Sequence, residues 1–337
     1  MNERFGPFEA VTSLGHGGMG VVYKARHVET GQWAALKVLP AFLSRDEHFR
    51  ARFDREASIL RRLDHPNIIR LLGAGVEKDV HYYAMELLEG ETLLERMYRS
   101  AVPETEAVDI ARQVLSALDY AHTLPDGGAI HRDIKPENIY LASGAAKLID
   151  YGLSKMVVDA TLTVTGSHFG SPAYMAPEQF VDAKTVDHRA DLWAVGLTLY
   201  SALSGSAPFK DDTSLSILRK WNDPKFTFAP IRSLRPDVSE TTANIVQVAM
   251  QKDPAKRFQT AREFLDALAG APHEPRTAPY AFDGRFPLST FVDHAVFGER
   301  GLIVDLGQTP EGLDYIVAEF PSKGRLRLVA RQTVAQA

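Results

Sequence analysis

The chain has 337 residues, enough for about two domains. Its 45% hydrophobic and 24% charged residues are the proportions of an ordinary soluble globular protein. Lys plus Arg number 38 against 43 Asp plus Glu, a formal charge of -5, which excludes a broadly basic nucleic-acid coat and any general attraction to anionic membranes. The lack of cysteine excludes disulfides, thiolate zinc sites, iron–sulfur clusters and a cysteine nucleophile. The longest apolar runs, such as residues 192–200, are about half the length that spans a bilayer. Residues 1–8 carry Glu3 and Arg4 and no apolar core of a signal peptide, so a cytoplasmic location is expected.

In chain order, strands are predicted on either side of a glycine cluster, from Val11, Val21, Val22 and Tyr23, and again over residues 33–39. Over residues 48–63 the period becomes helical: Phe49, Phe53, Leu60 and Leu63 mark one face, and Asp64-His65-Pro66-Asn67 ends it. Short strands are predicted at 68–72 and 81–86. Beyond Glu91 the pattern is mostly helical, most clearly over 106–122, then loop-rich from 127 to 177, then helical again over 187–205 and 239–251. A small β-rich lobe ahead of a larger α-rich lobe is an α+β arrangement. Pro272, Pro275, Pro279 and Pro287 mark a linker over 269–290. Three strands, at 302–306, 313–320 and 325–330, then predict a β-meander within a small all-β domain over 291–337.

Gly15-His16-Gly17-Gly18-Met19-Gly20 has the spacing G-x-G-x-x-G. A dinucleotide-binding fold would need a helix after this loop and an acid about 20 residues on. Here Val21, Val22 and Tyr23 argue for a strand, and the residue 20 past Gly15 is Ala35. What remains is a glycine hairpin whose backbone N–H groups can approach phosphate oxygens. In the following strand Ala35 and Lys37 share a face. Glu56 falls in the stripe Phe53, Glu56, Leu60, Leu63, so a carboxylate points where the apolar side chains point. If buried it needs a cationic partner, for which Lys37 is the natural candidate; a solvated helix edge is the alternative.

His131-Arg132-Asp133-Ile134-Lys135-Pro136-Glu137-Asn138, then Asp150-Tyr151-Gly152, then Ala176-Pro177-Glu178, follow in that order. With the glycine loop, Lys37 and Glu56 ahead of them, these motifs make residues 8–268 resemble the eukaryotic-type protein kinases, and within that family the bacterial Ser/Thr kinases. The resemblance implies a bilobal kinase fold, with an N-lobe over about 8–86 and a C-lobe over about 91–268. It also implies a Ser/Thr kinase that uses ATP and Mg²⁺ or Mn²⁺ and takes proteins as substrates. By the same resemblance Leu14, Gly15, Gly17, Gly20, Val22 and Ala35 would enclose the nucleotide, and Met85, Glu86 and Leu88 would line the adenine edge. Lys37 would hold the α- and β-phosphates, oriented by Glu56, and Asn138 and Asp150 would be metal ligands. Asp133 would take the substrate hydroxyl's proton and Lys135 would neutralise the γ-phosphate. Tyr151 stands where the family usually has Phe; its ring should still pack against the helix carrying Glu56, but its hydroxyl, if buried, needs a partner. His131 is expected to organise its loop, Glu178 to pair with Arg257, and Asp191 to accept from backbone amides of the 131–138 loop.

Thr163 and Thr165 sit eight and six residues before Ser171, as autophosphorylated threonines do in related bacterial kinases. A phosphate there could pair with Arg132, and a second copy of the chain would install it in trans. Ser171 matches the hydroxyl residue that positions substrate near Asp133 and Lys135. The C-terminal region resembles the Tudor/SH3-like barrel that ends some bacterial superfamily-1 DNA helicases. Arg325, Arg327 and Arg331 on one strand face are either simply solvated or a docking surface for an acidic protein or nucleic acid. A small-molecule kinase of the aminoglycoside type and a non-enzymatic scaffold are the competing readings.

Overall fold

The computed structural model describes residues 3–17, 20–125, 127–142, 144–151, 172–181, 186–209 and 212–271, together with the backbone of four strands between 291 and 329. The N-terminal lobe is a six-stranded antiparallel sheet in the order β1-β2-β3-β4-β6-β5. Its strands are β1 (Arg4–Phe5), β2 (Phe8–Gly17), β3 (Gly20–His27), β4 (Trp33–Val38), β5 (Leu71–Glu77) and β6 (Val80–Glu86). The glycine cluster forms the end of the β2–β3 hairpin, which closes at the pair Gly17 and Gly20, so a strand does follow the loop. Gly20 is required by close approach: a Cβ there would lie 2.5 Å from the Val38 backbone oxygen. One group of sheet residues, including Phe5, Phe8, Leu36 and Tyr82, forms a small core of its own. Ala35, Tyr83 and Met85 join the main core together with helix α2 (Glu47–Leu60), which follows the short α1 (Ala41–Ser44).

Helix α2 starts at Asp46, whose carboxylate accepts from the backbone N–H of His48 at 2.8 Å, a capping geometry that satisfies otherwise orphaned donors. It buries Phe53, Glu56, Ala57 and Leu60. It ends three residues before the predicted Leu63, because the residue ahead of Pro66 is driven out of the helical region and the chain turns, with the Asn67 N–H donating to His65 Nδ1 at 3.1 Å. Leu63 is nonetheless buried, carried in by the turn.

The second lobe is helical: α3 (Leu93–Arg99), α4 (Glu104–His122), α5 (Arg189–Ser204), α6 (Ser214–Asn222), α7 (Ile231–Leu234), α8 (Glu240–Ala249) and α9 (Ala261–Leu268). Fourteen consecutive residues of α5, Ala190 to Leu203, are buried, so the helix runs through the middle of the lobe with no solvent face. The stretch 127–177, predicted as loop, contains a hairpin, β8 (Ile139–Ala142) and β9 (Ala145–Leu148), which joins β7 (Gly90–Thr92) in a three-stranded sheet. Four-residue strands carry too few alternations to register as a period, and this hairpin escapes sequence reading for that reason.

In the C-terminal region the predicted meander of three strands is a meander of four. β10 (Phe291–His294), β11 (Glu299–Gln308), β12 (Asp314–Phe320) and β13 (Gly324–Val329) pair consecutively and antiparallel. The added strand is four residues long and contains Asp293 and His294, which hide any apolar alternation. The linker residues 272–290 lie outside the described residues. Among the described residues no helix is long and apolar enough to cross a membrane.

Candidate active site

Strand β4, helix α2, strand β6 and the segment after β9 bring four titratable groups together beneath the sheet. Lys37 Nζ lies 3.0 Å from Glu56 Oε1 and 3.1 Å from Asp150 Oδ1, and the Tyr83 hydroxyl donates to the same Glu56 oxygen at 2.8 Å. Lys37 and Glu56 are both buried, as the carboxylate within an apolar stripe requires; the solvated-edge alternative is excluded. Burial disfavours the Lys37 ammonium, but Asp150 and Glu56 outweigh it and hold the group well above its usual pKa. Lys37 pulls Asp150 below the usual carboxylate range, so Asp150 is anionic at neutral pH. Glu56 is raised by burial, against the opposing pull of Lys37. The sequence offered no signal for Tyr83, whose aromatic ring lies under Lys37 at 5.4 Å and whose hydroxyl completes the coordination of Glu56.

The loop after α4 gathers a second group. Lys135 Nζ is 3.2 Å from Asp133 Oδ2, and Asn138 donates its amide to the Asp133 backbone oxygen at 2.8 Å and to Oδ2 at 3.0 Å. Because the Asn138 nitrogen is engaged, its amide oxygen is left as the acceptor. Asn138 also lies under β9, its carbonyl accepting from the Ile149 N–H at 3.0 Å, which fixes it one residue from Asp150. The loop backbone is held by buried Asp191 at the start of α5, which accepts from the N–H of His131 at 2.8 Å and of Arg132 at 2.7 Å, as the kinase resemblance implies. His122 Nε2, 2.9 Å from the same carboxylate, is a further partner that the sequence does not disclose. Burial alone would raise Asp191, but these hydrogen bonds and neighbouring imidazoles keep its pKa below the normal value. Arg132 and Asp150 both have positive φ, 64° and 52°, a strained conformation for non-glycine residues that clusters where geometry is functional.

The remaining site residues fall around these two groups. Leu14 and Gly15 lie exposed on β2, Gly17 ends that strand and Gly20 begins β3. Val22 pairs with Lys37 across β3 and β4, and buried Ala35 pairs with buried Met85 across β4 and β6. Glu86, at the end of β6, is tied down by the Arg70 N–H at 2.9 Å and by Lys147 Nζ at 2.7 Å, which fixes the crossing to half-buried Leu88 between the lobes. Tyr151 is 1% exposed and packs on the His131 ring, centroids 4.5 Å apart; its hydroxyl finds no partner among the described residues. Glu178 and Arg257 form the predicted pair, two contacts of 2.7 Å. Ser171, Thr163 and Thr165 lie outside the described residues.

A divalent cation fits this donor set. Asp150 is an anionic carboxylate with a half-exposed side chain, and the Asn138 amide oxygen receives no donor among the described residues; both are hard oxygen donors. No cluster of three His, Cys, Asp or Glu residues suited to a metal occurs among the described residues, so two protein ligands would leave the remaining positions to phosphate and water.

Known proteins agree with this arrangement. Residues 8–267 match the family model described as the protein kinase domain. Among curated proteins, the serine/threonine-protein kinase PknJ of Mycobacterium tuberculosis is 35% identical over 324 residues, covering 92% of this chain and 54% of that protein. The serine/threonine-protein kinase PrkC of Bacillus subtilis is 34% identical, covering 77% of this chain and 39% of that protein. This chain thus spans about half or less of the length of these relatives. Among solved structures, the PknI kinase domain of Mycobacterium tuberculosis superposes with a TM-score of 0.62 at 30% identity, covering 80% of this chain and 97% of that one.

Proposed function

From the premise that the chain belongs to the protein kinase domain family, we propose that it transfers the γ-phosphate of Mg-ATP to serine and threonine hydroxyls of proteins. The observation that carries this reading is the convergence of Lys37, Glu56 and Asp150 with Asp133, Lys135 and Asn138 in one cleft. Phosphoryl transfer has a highly charged, loosely bonded transition state, so the protein's work is positioning and charge neutralisation. Lys37, braced by Glu56 and Tyr83, binds the α- and β-phosphates. The backbone amides of Gly15, Gly17 and Gly20 cover them, while Leu14, Val22, Ala35 and Met85 hold adenine, whose edge meets the backbone of Glu86 and Leu88. Asn138 and Asp150 would hold Mg²⁺, which would supply neutralisation of phosphate charge. Asp133, steered by Asn138, accepts the proton of the attacking hydroxyl, and Lys135 beside it offsets charge on the transferred group. The Glu178–Arg257 pair supports the protein-kinase reading over a small-molecule kinase, because it anchors the turn after the 152–171 segment against the helical lobe. The test is transfer of label from γ-labelled ATP to a generic basic protein. Asp133→Asn should abolish it without loss of nucleotide binding, and labelling equal to the parent's refutes the assignment.

Thr163 and Thr165 are the proposed phosphorylation sites, modified in trans by a second copy, with Ser171 positioning the substrate. Support comes from Arg132: its Nε and Nη1 are buried without an acceptor among the described residues, and its pKa is lowered by burial, against the pull of Asp191, with Arg55 close enough to add to the lowering. Two neighbouring guanidinium groups, one with buried N–H groups left without acceptors, suit a phosphate. Mass spectrometry after incubation with Mg-ATP should find phosphate on the 161–171 peptide. The four-stranded C-terminal meander supports a small β domain of the Tudor/SH3 kind, in which Arg325 and Arg327 of β13 would serve a docking surface for an acidic protein or nucleic acid; Arg331 lies outside the described residues.

A further inference from the structure

A cavity of about 530 Å³ opens in the helical lobe, and none of its lining residues belongs to the candidate active site. Its walls are aromatic: Trp193 of α5, Trp221 of α6, and Phe226 and Phe228 from the loop that follows. The rings interlock edge-on, with centroids 5.3 Å apart for Trp193 and Trp221 and 5.5 Å for both Trp221–Phe226 and Phe226–Phe228. Such mutual packing fixes the walls in advance of any ligand. Phe226 and Phe228 nevertheless stay partly exposed. Neither indole N–H, of Trp193 or Trp221, has an acceptor among the described residues, but both nitrogens are buried, so the wall meets a ligand through the ring surfaces and not through these donors.

The mouth carries three cations, Arg232, Lys252 and Lys256, against two acids, Glu240 and Asp253. Lys252 is committed to the Asp223 carbonyl at 2.7 Å, and Asp253 to the Ala255 N–H at 3.0 Å. None of Arg232, Lys256 and Glu240 forms an ion pair among the described residues, so the lining carries an excess of one positive charge beside an aromatic slot. The volume is that of a site for one small molecule rather than for a polypeptide surface. Flat apolar walls ask for a ring system, and the excess positive charge at the mouth favours an anion.

We propose that this cavity is a binding site for a small aromatic carboxylate or a similar amphipathic aromatic anion. The site adjoins machinery that reaches the cleft. Gln251 and Lys252, both in its wall, accept from Arg257 through their carbonyls at 2.7 and 3.0 Å; Arg257 lies over the Trp193 ring at 4.9 Å and grips Glu178. A bound ring would therefore rest against the anchor of the 177–180 turn.

The experiment titrates the full chain with 8-anilinonaphthalene-1-sulfonate, followed by fluorescence and calorimetry, so that it reads binding directly and is independent of phosphotransfer. One saturable site is expected, undisturbed by saturating Mg-ATP, with slowed amide exchange over residues 224–230 and 250–257. Ala243→Trp, which fills the cavity from α8, should weaken binding at least tenfold. The exposed double variant Arg232→Ala/Lys256→Ala should weaken the sulfonate several-fold while leaving the uncharged N-phenyl-1-naphthylamine unchanged. Displacement by Mg-ATP, absence of a saturable site, or equal loss of charged and uncharged probe in the double variant would overturn the proposal.

Discussion

Tyr151 offers the sharpest test of the physical reading. Its side chain is buried at 1% exposure, its ring lies on His131, and its hydroxyl has no partner among the described residues. Burial drives its pKa well above the usual tyrosine value, so the group is a neutral O–H at every working pH and its effect is that of an unmade hydrogen bond. A buried hydroxyl left without a partner costs about 1–3 kcal/mol relative to water. Tyr151→Phe removes the oxygen and keeps the ring, so the variant should be more stable by about that amount. At about 2–4 °C per kcal/mol for a domain of roughly this size, Tm rises by several degrees. Scanning calorimetry on the full chain, with urea unfolding as a second measure, reads the change. An unchanged or lowered Tm would mean that the hydroxyl is satisfied after all and that the accounting is wrong.

Three further outcomes are expected. Lys37→Met strands a buried carboxylate and should destabilise the protein by about 3–5 kcal/mol, whereas Lys37→Met/Glu56→Leu should recover much of that loss in urea midpoints, because it removes the buried Glu56 charge and leaves only Asp150, whose half-exposed side chain water can reach. Arg257→Met should cost a similar amount in urea, since it strips Glu178 and the carbonyls of Gln251, Lys252 and Arg189 of one shared donor. His131, lowered chiefly by burial, and His65, lowered by burial and then by Lys147, both resist protonation in the folded state. Below about pH 6.5 the unfolded chain takes up protons that the folded chain refuses, so stability falls with pH from that point. Tm measured from pH 7.5 down to 5.5 should decline, and His65→Gln should flatten the decline.

The residues that do chemistry announce themselves in sequence because each motif is local. The glycine spacing, the 131–138 loop, the Asp150 triplet and the Glu56 stripe each occupy a few consecutive or periodic positions, and their order along the chain was enough to imply a two-lobed kinase. The partnership of Lys37 with Glu56 was also legible, since a carboxylate on an apolar helix face must be neutralised wherever it is buried. Asp191 and the Glu178–Arg257 pair were inferred from the resemblance, and their distances bear that inference out.

Other features needed the folded chain. Tyr83 comes to Glu56, His122 to Asp191 and Lys147 to Glu86 from segments 27, 69 and 61 residues away, contacts that no periodicity encodes. The β8–β9 hairpin and β10 were too short to leave a period. Whether the Tyr151 hydroxyl would find a partner, and whether four aromatic residues spread over α5, α6 and a loop would enclose a cavity, are questions of packing. Sequence specifies which groups need partners, because charge, polarity and burial tendency are properties of a residue. Only the tertiary structure decides which needs are met, because that depends on how rigid elements distant in the chain come to lie within a few ångströms of one another.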